Sequence, residues 1–432
     1  MSDSSTNSQT TIYKGNIIFT PTSKEFNILK NGYIVVENGR VKEVLSILPD
    51  KYKNQNVIDY GNKLIIPGFS DLHFHAPQYA NRGLGMDKEL LPWLNQYTFP
   101  EEAKYADPNY AKKIYKRVVK EIWKQGTTRI VVFSSLHKES TKILLDYFIQ
   151  SGLGAYVGKV GMDRNSPDFL IETTELSLSD TEEILKEYGN KSNIVKPIVT
   201  PRFVPTCTPE SLGGFGELAA KYNVPIQSHI SENLGEVEWV KELHPEFEDY
   251  ASVYNNFKCF GQVPTVMAHC VHNTDKEIDL MAKNGVYAAH CPNANYNLAS
   301  GIMPVRKFLN KGVNVGLGTD VGAGHKVSIP NVMVAAMQAS KIKWLESDKK
   351  LDWLTTEEAF YLGTKGSGSF FGNVGSFEEG YEFDALVIDD SSLGDLNITL
   401  RERLQRYIYI GDDRNIIERY VAGKKIEEPQ LD

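Results

Sequence analysis

Between Thr128 and Lys341 the chain alternates short apolar runs with helical stretches, and no other feature of the sequence restricts the fold as much. The strand candidates are residues 128–133, 155–162, 195–199, 224–229, 265–269, 286–290 and 313–317, and helices fit 110–125, 140–150, 180–188, 212–222, 275–284, 303–311 and 330–341. A strand that leads into a helix and then into another strand builds a parallel sheet, and about eight such units suit a closed barrel. The 432 residues exceed one ordinary domain, so a large domain with a smaller companion is expected.

The companion is expected at the chain ends. Residues 12–13, 16–19, 33–37, 41–48 and 63–66 read as strands punctuated by turns, with Asn38-Gly39 as a type I′ hairpin signal. Strand-like texture returns at 383–388, 408–410 and 416–421, which allows both ends to share one β domain.

Net charge is -8 without a basic stripe, which disfavours polymeric nucleic acid as a partner. No window reaches the roughly 18 apolar residues of a membrane helix, and Met1 to Gln9 is polar instead of resembling a signal peptide, so a cytoplasmic protein is expected. The four cysteines, Cys207, Cys259, Cys270 and Cys291, contain no CxxC spacing and are expected as buried thiols.

His73 and His75 form an HxH after the apolar run 64–69. In an extended chain residues two apart point to one side, so both imidazoles can face one metal. Alone this is a weak signal, because isolated histidines are often satisfied core residues. It gains weight because His229, His269 and Asp320 each sit at the C-terminal end of a different predicted strand, and in a barrel those ends meet at one mouth. Histidine nitrogens with one carboxylate match a catalytic zinc or iron centre that leaves room for water.

Glu232 follows His229 by three residues. That offset can place a carboxylate over an activated water as general acid/base, taking a proton and handing it to a ring nitrogen. A helix N-terminal glutamate that favours the dipole is the alternative.

Pro67-Gly68-Phe69-Ser70-Asp71-Leu72-His73-Phe74-His75 resembles the PGxxDxHxH signature of the amidohydrolase superfamily, and His229, His269 and Gly316-Leu317-Gly318-Thr319-Asp320 are similar to its later metal positions. The resemblance implies an α/β fold, a TIM-like (β/α)8 barrel over 67–377 with a small β-sandwich from 1–66 and 378–432. It also implies one zinc ion per subunit, with iron as the alternative, held by His73, His75, His229, His269 and Asp320.

Three further stretches resemble the guanine deaminase family within that superfamily: His75-Ala76-Pro77-Gln78-Tyr79 with Leu91-Pro92-Trp93-Leu94, Val199-Thr200-Pro201-Arg202-Phe203, and Gln227-Ser228-His229-Ile230-Ser231-Glu232-Asn233. That likeness implies a small purine as substrate, contacted by Gln78, Arg202, Phe203, His229, Glu232 and Asp320 and neighboured by His75 and Trp93. Catalysis would fall to Glu232, Asp320 and His269. Guanine offers O6 and N7 as adjacent acceptors that suit arginine, and Phe203 or Trp93 suits a ring face. A structural ion pair for Arg202 and core roles for the aromatics are the alternatives.

His290 is expected near the mouth with no place among the ligands. His137, His244, His272 and His325 read as structural or solvated, and Lys159 as structural. Another deaminase of the superfamily, acting on 8-oxoguanine, an adenosine derivative, cytosine or a triazine, is the nearest competing reading, and a non-catalytic scaffold is the competitor from another class. A homodimer is expected by resemblance only.

Overall fold

The computed structural model describes residues 10–431, so the Met1 to Gln9 reading lies outside them. Parallel strands Phe69–His75, Thr127–Phe133, Gly154–Gly158 and Val195–Pro197 form one four-stranded sheet. Ile226–Ile230, Thr265–His269, Tyr287–His290 and Asn314–Leu317 form a second. A parallel bridge from Val199 to Ile226 joins the two sheets on one side. On the other, Asp320 N donates to the His73 carbonyl at 2.8 Å, closing the last strand onto the first. The result is the expected (β/α)8 barrel.

Every residue of Phe69–His75 and Thr127–Phe133 is buried, as a sheet covered on its outer face and packed within requires. The covering helices begin and end on local signals. Thr208 accepts from Ser211 N to cap Pro209–Tyr222, which stops at Asn223 with a left-handed φ of 49°. Thr274 and Glu277 form a capping box on Asp275–Asn284.

Both chain ends enter one seven-stranded sheet. Thr10–Thr22 pairs with Glu25–Glu37 and with Asn56–Pro67, and Asn56–Pro67 pairs antiparallel with Ala385–Ile388 from the far end. Tyr13, Ile17, Phe19, Ile34, Ile65, Phe377, Phe383 and Tyr420 form its core. The hairpin at Asn38-Gly39 has φ values of 52° and 79°, the double positive φ of a type I′ turn.

The chain passes from this sheet to the barrel at Gly68, where a Cβ would fall 2.3 Å from Thr128 Oγ1 and only glycine fits. The apolar run 64–69 is thus split: Asn56–Pro67 belongs to the terminal sheet, and Phe69–His75 is a barrel strand carrying both histidines. Arg129 locks the two parts together. It donates to Asp384 at 2.7 and 3.0 Å and to Glu382 at 2.6 Å.

One expectation is corrected. Residues 408–410 form no strand but end the helix Leu400–Ile410. Their β-branched and aromatic composition reads as strand, yet the Thr399/Glu402 capping box starts a helix whose Leu404, Tyr407 and Ile408 face the core at helical spacing. All four cysteines are buried and free. Among the described residues no helix is long and apolar enough to cross a membrane.

Candidate active site

Strand parity and strand ends assemble the site. His73 and His75 come from one strand, with ring centroids 4.8 Å apart, and both are buried. His75 Nε2 lies 3.0 Å from His229 Nε2. His73 Nε2 is 3.1 Å and His75 Nε2 3.6 Å from Asp320 Oδ1, and His269 Nε2 is 3.8 Å from Asp320 Oδ2. Two overlapping triads result, His73–His75–His229 and His73–His269–Asp320, with the ligand atoms of each within 4.8 Å of one another. All five expected ligands converge.

The strand ends reach these positions through unusual backbone. His269, Asp320 and Ser231 adopt left-handed φ values of 77°, 47° and 51°. Such conformations cost about 1–3 kcal/mol each for non-glycine residues and persist where surrounding structure holds them, commonly at functional sites.

Second partners orient the rings. His229 Nδ1 donates to the Arg202 carbonyl at 2.6 Å, which requires the proton on Nδ1 and leaves the lone pair on Nε2. His269 Nδ1 pairs likewise with Asn295 Oδ1 at 2.9 Å. Burial holds His73, His75 and His229 well below the ordinary histidine range, with neighbouring positive groups adding to the effect. Neutral imidazoles with inward lone pairs have the form that can hold a metal.

Two carboxyls are confined in the same space. Burial pushes Asp320 up to about 7 and Glu232 well above the usual range, with Asp320 adding to the effect on Glu232. Buried His73 Nε2 and Glu232 Oε1 have no hydrogen-bond partner. Unpartnered lone-pair atoms on one carboxyl and one imidazole, beside a second carboxyl and three more imidazoles, fit a divalent metal.

Glu232 Oε2 sits 3.3 Å from His269 Nε2, and Glu232 N is anchored by Glu236 Oε2 at 2.8 Å. The cavity in front is lined by His75, Gln78, Trp93, Arg202, Phe203, His229, Glu232, His269 and Asp320. Leu90, Leu94, Leu298 and Ala323 complete it. Its apolar walls with a few convergent polar groups are the usual make-up of a small-molecule site.

Arg202 lines the cavity and is also ion-paired to Glu102 at 2.6 Å, so the structural ion pair weighed as its alternative is present in the site. Trp93 lines it while its indole N–H donates to the Leu84 carbonyl at 2.9 Å.

The remaining candidates lie outside the cluster. His290 is buried at its strand end, with both ring nitrogens unpartnered and no place in either triad. His325 shares a contact with Asn297 at 3.2 Å and lines a neighbouring groove. His272 donates to the Ser300 carbonyl, His244 meets Arg164, and Lys159 is neutralised by Glu172 at 2.6 Å.

Sequence reasoning missed three residues. Glu102 grips Arg202 and Gln78, Asn295 orients His269, and Asp71 accepts from His73 N, Thr319 N and Thr319 Oγ1, the last at 2.5 Å. Only Asp71 had a signal, its place in the quoted signature.

The profile of the amidohydrolase family matches residues 64–426. The chain belongs to the amidohydrolase family. Among members of this family, a guanine deaminase from Dictyostelium discoideum is 39% identical, with 96% of this chain and 98% of that protein covered. The guanine deaminase of Escherichia coli strain K12 is 33% identical over 93% of this chain and 92% of its own. The crystal structure of guanine deaminase from C. acetobutylicum with guanine bound in its active site is 58% identical, with a TM-score of 0.96, covering 97% of this chain and 100% of that one.

Proposed function

We propose that the chain is a guanine deaminase that converts guanine and water to xanthine and ammonia. One observation carries the reading: a buried carboxyl, Glu232, borders a histidine–aspartate metal cluster in the same cavity as Arg202 and Gln78. The 58% identical structure with guanine in its active site supports the choice of ring.

The assigned metal is one zinc ion on His73, His75, His229, His269 and Asp320, with iron sharing the same donor preferences. Bound there, such an ion lowers the pKa of a water toward neutrality. Glu232 takes one proton from the attacking water and hands it to the ring nitrogen beside C2; the hydroxyl left on C2 then gives up the second proton, which Glu232 passes to the departing amine. The C2–N bond breaks, a carbonyl forms at C2, and ammonia leaves.

Arg202 spends two N–H groups on Glu102 and a third on Met162 Sδ, and keeps the remaining two for the O6 and N7 acceptors of the purine. Gln78 steadies the same edge, while Phe203 and Trp93 supply apolar faces. Buried, unpaired cysteines support the cytoplasm as the compartment.

The test is ammonia release by metal-assayed protein offered guanine, 8-oxoguanine, adenine, adenosine and cytosine in parallel, with xanthine followed optically. Turnover confined to guanine is expected. Preference for another base overturns the substrate, and silence on all of them with metal bound overturns the activity.

A further inference from the structure

The polar wall of the pocket is a buried network with one carboxylate at its centre. Glu102 lies on the short helix Phe99–Ala103 and is 2% exposed. Its Oε2 accepts from Arg202 Nη1 at 2.6 Å, and its Oε1 accepts from Arg202 Nη2 at 3.1 Å and from Gln78 Nε2 at 2.9 Å. Gln78 Oε1 accepts in turn from Gly322 N at 3.2 Å. The guanidinium carbon rests 5.1 Å from the centroid of the Phe99 ring. Both side chains assigned to the purine edge are therefore held by Glu102, which fixes the Gln78 amide with its nitrogen on the carboxylate side.

The arrangement also fixes charge. An uncompensated guanidinium in a nearly dry cavity would draw anions, and a bidentate carboxylate cancels that field locally. The other charged or titratable groups whose fields meet Arg202 are His73, His75, His229, Glu232 and Asp320. Deamination exchanges an amino group for a carbonyl and adds a ring N–H, so the product is a stronger acid than the substrate and forms a ring anion more readily.

We infer that Glu102 is a specificity-determining residue: by cancelling the charge of Arg202 it makes the pocket prefer an uncharged oxopurine over the corresponding ring anion. The inference rests on the guanine reading above. Its consequence is that the ionised product is not retained.

Calorimetric binding of xanthine to the metal-loaded protein, below and above the ring ionisation of xanthine, tests it. Hypoxanthine, a weaker acid with the same six-position carbonyl, corrects for titration of the protein. Wild type should bind the xanthine anion more weakly than the neutral ring.

Glu102→Gln should shift that preference toward the anion by roughly tenfold or more, the scale of one unscreened charge at a partly buried site. Glu102→Asp, which keeps the charge, should retain the wild-type preference. Arg202→Gln, which leaves Glu102 uncompensated, should shift it the opposite way, and it decides the matter where Glu102→Gln does not fold. A merely structural role moves both variants together. Unshifted ratios, or shifts of the same sign, overturn the role of Glu102 alone. Failure of wild type to bind either purine overturns the guanine reading and this inference with it.

Discussion

The backbone carbonyl of Arg202 accepts the Nδ1 proton of His229 at 2.6 Å, while the side chain of the same residue reaches into the cavity. One residue thus orients the His229 ring through its main chain and lines the cavity through its side chain. The two roles separate on mutation. Arg202→Ala keeps the carbonyl, so metal content should persist, while kcat/KM for guanine should fall by about 10–100-fold, the scale of a lost bidentate base contact. An unchanged kcat/KM rejects the purine-edge role, and loss of metal rejects the separation.

Glu232 borders the cluster of His73, His75, His229, His269 and Asp320, and the proposed reaction gives it the proton transfers. Glu232→Gln preserves the shape and the Glu236 contact to its backbone. It should retain metal and fold and lower kcat by roughly 100-fold or more. Steady-state kinetics beside metal analysis decide this, and near-normal turnover removes Glu232 from its role.

Asn295 Oδ1 pairs with the ring Nδ1 of His269 at 2.9 Å. Asn295→Ala frees the imidazole to rotate or change tautomer, and metal affinity should fall by about 10–100-fold. Titration with a competing chelator measures it. Removing the metal should also lower the midpoint of thermal unfolding, because an ion that binds only the folded state stabilises by about 2.7 kcal/mol at 100 times its Kd. An identical midpoint with and without metal contradicts the assigned cluster.

Arg129 binds Asp384 and Glu382 far from the cavity. Arg129→Met leaves Asp384, which is fully buried, without its cation, a loss of about 3–5 kcal/mol. The thermal midpoint should drop clearly, with kcat of the folded protein preserved. A stable variant with impaired kcat would reverse the assignment of this pair from structure to chemistry.

Much of the molecule was legible from the chain alone because the signals are local. Parity put His73 and His75 on one side of an extended segment, and the alternation of strands and helices placed His229, His269 and Asp320 at strand ends. The Asn38-Gly39 turn acts within a few residues, where dihedral preference decides the outcome.

Tertiary structure decided what residue type alone left open. Leu400–Ile410 is a helix because its capping box and its packing against the terminal sheet outweigh a strand-like composition. Glu102 meets Arg202 across 100 residues, and Asp71 meets Thr319 across 248. Such contacts exist only once barrel closure brings distant strand ends and loops into one buried space. There an unpaired charge or lone pair is costly, and each polar group is driven to the partner that closure provides.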